Sequence, residues 1–344
     1  MYEAILYEND KDSKVACTAC KHKCTIPEGH AGICGVRYND AGKLYLLVYG
    51  KAVAHHVDPI EKKPLYHFLP KTTAYSIGTV GCNFHCKFCQ NWDIAMATQD
   101  PREKLKEKVP LMGDDMLPND VVEECISSGS KTIAYTYNEP SIFAEYAHDT
   151  AKIAEKKGLK NIFVSNGYDS TEELNLMSGL LDAINIDLKS FNEDFYKKIC
   201  GGKLQNVLDT IVEVHSRGIW MEITTLLIPG HNDSDEELRN IAKFIAGIDA
   251  TIPWHVTAFY PCYKMLDVKP TPPSSLYRAY DIGKEEGLQY VYVGNILDEE
   301  HSTTHCPECS TPLISRNGYS VVVEDSFDKG KCKTCGKEIP GVWS

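Results

Sequence analysis

Eleven of the chain's 14 cysteines fall into three tight groups, and this grouping constrains the fold more than any other feature. The first group is Cys17, Cys20, Cys24 and Cys34. The second is Cys82, Cys86 and Cys89, and the third is Cys306, Cys309, Cys332 and Cys335. The first residues lack a basic stretch followed by an apolar one, so a cytoplasmic, reducing setting is expected. There, clustered thiols bind metal more often than they pair as disulfides. Cys125, Cys200 and Cys262 stand apart and read as small buried hydrophobes.

Between the groups lies the pattern of an α/β protein. Short apolar runs at Ala74–Val80, Thr132–Thr136, Asn161–Ser165, Ala183–Leu188, Trp220–Ile228, His255–Phe259 and Gln289–Val293 read as buried parallel strands. Helices are expected over Pro118–Ser127, capped by Asn119 or Asp120, and over Ser141–Lys157, Thr171–Gly179 and Asp233–Ala246. Strands spaced by helices predict a parallel sheet or barrel. The stretch from 73 to 298 is shorter than the roughly 250 residues of an eight-fold barrel, so a partial (β/α)6 TIM-like barrel is expected. Three parts follow: an N-terminal Cys-rich element over 1–72, the partial barrel over 73–298, and a small metal-binding domain over 299–344.

Charge and hydropathy exclude several functions. With 36 Lys+Arg against 48 Asp+Glu the net charge is −12, all of it carried by residues 73–298. A field of that sign, without a Lys/Arg stripe, opposes nucleic-acid binding. No run approaches the ~18 apolar residues of a membrane helix, so no membrane partner is expected.

The second cysteine group carries the chemistry. It reads Gly81-Cys82-Asn83-Phe84-His85-Cys86-Lys87-Phe88-Cys89-Gln90-Asn91, directly after the first barrel strand. Three thiolates on one loop suit a [4Fe–4S] cluster and leave one iron without a protein ligand. An open position is what separates a reactive metal site from a structural one. The alternative is a zinc ion held by Cys82, Cys86, Cys89 and His85. One compact element is poor geometry for zinc, which prefers paired C-x2-4-C elements.

This loop, with the barrel pattern after it, resembles the radical S-adenosylmethionine (SAM) superfamily. The resemblance implies that Cys82, Cys86 and Cys89 hold the cluster and that the open iron is chelated by SAM. One electron from the cluster would then cleave SAM to a 5′-deoxyadenosyl radical, which abstracts a hydrogen atom from a substrate. It also implies SAM contacts at the strand ends. Glu139, in Thr136-Tyr137-Asn138-Glu139-Pro140, matches the Glu of a Gly-Gly-Glu segment that receives the SAM amino group; Tyr137 and Asn138 replace the glycines. Ser165 and Asn166 would meet the ribose or the carboxylate, and otherwise form an ordinary turn. Asp187 and Lys189 are similar to the Asp-x-Lys of glycyl-radical-enzyme activases, and would otherwise be a structural ion pair. Pro229-Gly230-His231-Asn232-Asp233 is similar to a turn of the same activases. His255 would face the adenosine, or be a satisfied core histidine.

The terminal groups have their own logic. Cys306-x2-Cys309 and Cys332-x2-Cys335, 22 residues apart, fit a zinc ribbon or a rubredoxin-like iron knuckle. Cys17-x2-Cys20-x3-Cys24-x9-Cys34 fits either zinc or an auxiliary iron–sulfur cluster. Taken with the central loop, the N-terminal group makes the chain similar to the radical SAM enzymes of AmmeMemoRadiSam systems, which are pyruvate-formate-lyase-activating-enzyme-like. The one-electron chemistry that the superfamily resemblance implies calls for a low-potential electron donor, a ferredoxin or flavodoxin. Three functions are weighed: a radical SAM oxidoreductase of unidentified substrate, an activase acting on a protein substrate, and a non-enzymatic multi-zinc binding module.

Overall fold

The computed structural model describes residues 1–99 and 105–344. Its centre is an eight-stranded sheet. The strands are β1 (Ala54–Pro59), β2 (Thr73–Gly78), β3 (Thr132–Tyr135), β4 (Lys160–Ser165), β5 (Ala183–Asp187), β6 (Trp220–Leu227), β7 (Trp254–Ala258) and β8 (Val291–Gly294). They lie in strict chain order across the sheet. Strands β2 to β8 run parallel, and β1 pairs antiparallel with β2. The parallel strands are apolar through most of their length because both faces are covered; β3 is buried at all four residues.

Six helices follow the first six parallel strands: α1 (Pro118–Ser127), α2 (Ala144–Lys156), α3 (Thr171–Leu176), α4 (Leu204–Ser216), α5 (Asp235–Ile248) and α6 (Pro273–Glu285). This is the six-unit partial barrel that the sequence pattern predicts, with a seventh parallel strand at its edge. Each helix buries one stripe, as α5 does with Leu238, Ile241, Ala242 and Ile245. Caps fix the starts: the Ser170 and Ser234 side chains accept from the Glu173 and Glu237 amides. The expected cap of α1 is corrected. Leu117 occupies that position, and Asp120 reaches back from inside the helix to accept its amide at 2.8 Å. A 3₁₀ turn, Pro140–Phe143, opens α2, and α3 stops at Leu176 rather than at 179.

Both cysteine-rich ends dock on this core. The N-terminal element forms two small antiparallel sheets. Arg37 ties it to α2: its guanidinium meets Glu145 at 3.0 and 2.5 Å, and both side chains are buried. The loop after β4 receives it as well, through Lys21 N to Tyr168 O at 2.9 Å and Ser170 Oγ to Thr18 O at 2.6 Å. At the other end, the C-terminal hairpins share a core with Tyr290 and Tyr292 of the last barrel strand region. Buried Arg316 donates to Tyr66 O at 2.8 Å, and His67 lies 2.6 Å from the Tyr292 hydroxyl. Among the described residues, no helix is long and apolar enough to cross a membrane.

Candidate functional site

A cavity of about 350 Å³ opens at the carboxyl ends of the parallel strands. That is where α/β barrels place their chemistry, because the loops there carry side chains on a fixed frame. Its size suits a ligand rather than a few waters. Cys82, Cys86 and Cys89 line it from the loop after β2. Thr136, Tyr137 and Asn138 follow β3, Ser165 and Asn166 end β4, and Asp187 and Lys189 end β5. Thr224 and His255 come from β6 and β7, and Tyr319 arrives from the C-terminal segment.

The three-cysteine loop is held by its backbone. Asn138 Nδ2 donates to Gly81 O at 2.9 Å, and the His85 amide to Cys200 O at 2.8 Å. The His85 side chain is exposed and packs near Gly201, away from the cavity. Among the described residues, the thiols of Cys82, Cys86 and Cys89 with His85 do not form a group whose ligand atoms lie within 4.8 Å; the C-terminal quartet does. A single zinc ion therefore fits the central loop poorly. Burial pushes the Cys82 thiol well up and Cys89 up to about 12, so a metal must displace those protons. Cys86 is held below its usual range, chiefly by a hydrogen bond from Cys200. The Cys262 thiol reaches Cys89 O at 3.4 Å. Two of the cysteines that stand apart in sequence thus touch the central loop.

Tyr137 takes the place of a glycine in backbone terms too. Its φ is +71°, in the left-handed region. Its hydroxyl donates to Asp58 at 2.7 Å, and the Lys63 ammonium lies 4.7 Å from its ring centre. Burial works to raise the Asp58 carboxyl, but hydrogen bonds from Lys62, Lys63 and Tyr137 hold it well below the usual range.

Glu139 is fully buried and stands behind the cavity wall. It accepts from Asn166 N at 2.7 Å, Ser165 Oγ at 3.0 Å and Ser141 Oγ at 3.0 Å. Ser165 Oγ also meets Asp169 at 2.7 Å, so one hydroxyl bridges two carboxyls. Burial first, then the charge of Asp169, pushes Glu139 up to about 8. Glu173 joins this buried acidic group, and burial holds its carboxyl well above the usual range.

Asp187 and Lys189 pair at 2.6 Å on the wall. Burial pulls Lys189 down, but Asp187, Cys86 and Cys200 outweigh it and keep the ammonium charged. Asn232, from the Pro-Gly-His-Asn-Asp turn, donates to Lys189 O at 2.7 Å and fixes its position. His255 lines the cavity, yet its Nε2 lies 2.7 Å from Glu222, which is wholly buried. Glu222 also accepts from the Tyr66 and His67 amides at 2.9 and 2.8 Å. Burial works to raise Glu222, and His255, His67 and the Tyr66 amide overcome it. No sequence signal marks Glu222, because it sits inside an otherwise apolar strand. Thr224 Oγ1 is buried, lines the cavity and has no protein partner, which leaves it for a ligand.

At the C-terminus the four thiols close on one point. Cys306 and Cys335 sulfurs are 3.5 Å apart, and Cys309 and Cys332 are 3.7 Å apart. A tetrahedron of sulfurs at about 2.3 Å from one zinc has an edge of about 3.8 Å, so this group can bind a metal ion.

Comparison with known proteins agrees with this geometry. Residues 76–245 match the model of the radical SAM superfamily. An uncharacterized protein of Methanocaldococcus jannaschii is 40% identical over 98% of this chain and 99% of its own length. A GTP 3′,8-cyclase of Limosilactobacillus fermentum is 24% identical over 69% of this chain and 74% of its own. The pyruvate formate-lyase-activating enzyme of Clostridium pasteurianum is 22% identical over 49% of this chain and 67% of its own. The chain therefore belongs to the radical SAM superfamily, whose members are enzymes built around an iron–sulfur cluster and SAM.

Proposed function

We propose that Cys82, Cys86 and Cys89 bind a [4Fe–4S] cluster with one open iron, and that SAM fills the neighbouring cavity. The observation that carries this reading is the convergence of three thiols and a ring of polar groups on one cavity of about 350 Å³. Bound there, the cluster and SAM supply one-electron cleavage of a carbon–sulfur bond and, from it, hydrogen-atom abstraction. The chain's part is to bind and orient. Ser165 and Asn166 offer donors and acceptors to the ribose or carboxylate. Glu139, behind the wall rather than on it, sets both of them by accepting from Ser165 Oγ and the Asn166 amide. Asp187 and Lys189 present opposite charges beside Cys86. Thr224 offers a free hydroxyl, and His255, steadied by Glu222, offers a ring face to the adenine. Phe84 and Phe88 keep water from the thiols.

The hydrogen donor is an unidentified substrate entering past Tyr319. A second reading is an activase that takes hydrogen from a glycine of a partner protein. The likeness to the Clostridium activating enzyme supports it. Both readings need a low-potential donor such as a ferredoxin or flavodoxin.

The test is anaerobic loading with iron and sulfide, then dithionite and SAM. Release of 5′-deoxyadenosine, with at least a hundred-fold loss in Cys86→Ala, is the expected result. Loaded protein that binds no SAM overturns the reading.

A further inference from the structure

We propose that the outer side of the three-cysteine loop, with Trp92, Tyr263 and the lysines around them, is the docking face for an acidic one-electron carrier protein. The inference deepens the function proposed above and rests on it, because that function puts an electron acceptor at Cys82, Cys86 and Cys89.

The loop has two sides. Phe84, Cys86 and Phe88 line the cavity, whereas His85 and Lys87, which alternate with them, are exposed and do not. The loop is therefore one chain thick, with Cys86 turned inward and a solvent-facing side directly behind it. A carrier seated on that side can pass an electron to the loop without entering the cavity that SAM and a substrate would fill.

Backbone bonds hold this outer side in one shape. The His85 amide donates to Cys200 O at 2.8 Å and the Lys87 amide to Ile199 O at 3.1 Å, so the turn Tyr196–Cys200 backs the loop. On the other flank the Lys264 amide donates to Lys87 O at 2.9 Å. Beside it, Tyr263 stands at φ +51°, a conformation uncommon outside glycine. Its ring stacks on Trp92, with centres 5.3 Å apart and planes 7° from parallel. The Lys264 ammonium lies 5.0 Å from the centre of the Tyr263 ring. Trp92 remains 45% exposed. An indole held in place yet left in solvent is the kind of side chain that anchors interfaces.

Charge names the partner. The three segments that meet here, 85–93, 193–203 and 260–269, carry Lys87, Lys197, Lys198, Lys203, Lys264 and Lys269, all exposed. Their acids are Asp93, Glu193, Asp194 and Asp267. Among the described residues, only Lys198 of these lysines forms an ion pair, with Asp194 at 2.7 Å. Glu193 is engaged by the Leu204 amide at 2.9 Å. On a chain of net charge −12, a face with more lysines than acids steers an acidic protein to this one place. Redox carriers dock through small, transient contacts, for which a stacked aromatic pair ringed by charge is sufficient. In the transfer one electron leaves the carrier, which is oxidised, and enters the cluster, which is reduced; no bond or proton changes at the face.

The test uses the full chain loaded with iron and sulfide and, as probe, an acidic [4Fe–4S] ferredoxin. Calorimetry with the oxidised ferredoxin is expected to show binding that weakens about tenfold or more between roughly 0.05 and 0.5 M salt. Lys87→Glu combined with Lys264→Glu should weaken it by a similar factor, and Trp92→Ala severalfold. Lys152→Glu combined with Lys156→Glu, on the exposed side of α2, should leave it unchanged. Failure of the ferredoxin to bind wild-type protein, undiminished binding in the Lys87 and Lys264 variant, or an equal loss in the α2 variant overturns the proposal. With reduced ferredoxin as electron source, release of 5′-deoxyadenosine should fall about tenfold in the Lys87 and Lys264 variant. With dithionite, which needs no docking face, it should stay at the wild-type level; an equal fall with both reductants overturns the docking role. If the double reversal does not fold, Lys87→Gln with Lys264→Gln carries the same comparison. Wild-type protein that releases no 5′-deoxyadenosine with dithionite sinks the proposed function, while lysine-dependent binding of the ferredoxin is read independently of it.

Discussion

A carboxyl that keeps its proton near neutrality makes Glu139 the residue most open to test. Its ordinary value is 4.5, and in the fold it rises to about 8. Between those values the unfolded chain releases a proton that the folded chain retains. This group's contribution is thus complete below about pH 4.5 and falls as pH climbs towards 8. The expected loss is roughly 1 kcal/mol per pH unit in that window, shared with Asp169 and Glu173. Thermal midpoints measured from pH 6 to 8 should fall in wild-type protein and fall less steeply in Glu139→Gln. Equal slopes would show that Glu139 is ionised in the fold. At this scale the sequence is legible where residues sit at strand ends. Ser165, Asn166, Asp187 and Lys189 all line one cavity, and for Asp187 and Lys189 the alternation of a strand predicts it. It is not legible for partners chosen by folding. Glu222 meets His255 across 33 positions, and Cys200 meets Cys86 across 114, distances that no local pattern spans.

Among the elements, the buried Arg37–Glu145 pair helps hold the N-terminal sheets on α2. Glu145 also accepts from the Ile5 and Leu6 amides at 3.1 and 3.2 Å. Removing one partner strands a buried charge, which costs about 3–5 kcal/mol. Glu145→Ala should therefore lower stability by about that much in urea unfolding. Arg37→Met combined with Glu145→Leu should recover part of it, although the Ile5 and Leu6 amides stay unpaired. A loss below ~1 kcal/mol in Glu145→Ala would show that the pair contributes little. All seven parallel strands are legible in the sequence because burial on both faces leaves short, mostly apolar runs. Strand β1 is not, since His56 and Val57 on it are exposed and its pattern is that of an edge. Helices α4 and α6 also go unannounced. Lys203 and Pro272 stand at their cap positions, and neither offers a capping side chain to mark a start.

Over the whole molecule, the parts expected from sequence, divided at 72/73 and 298/299, share structure across both lines. β1 belongs to the central sheet, and Tyr292 packs among residues of the C-terminal hairpins. A metal ion bound at Cys306, Cys309, Cys332 and Cys335 would thus steady the barrel's last strand as well as its own segment. A strong chelator is expected to remove about one metal ion per chain and to lower the thermal midpoint by several degrees. Trp343, packed on Phe327 and His67, should report the change by fluorescence. An unchanged midpoint after metal loss would show that the shared core suffices without it.

Tyr319 belongs to those hairpins and is exposed, yet it also lines the cavity at the strand ends. The far end of the polypeptide thereby acts as a doorpost for a reaction conducted elsewhere. If the proposed function holds, selectivity for cargo can be rewritten in this appendage while the interior at Cys82, Cys86 and Cys89 is left alone.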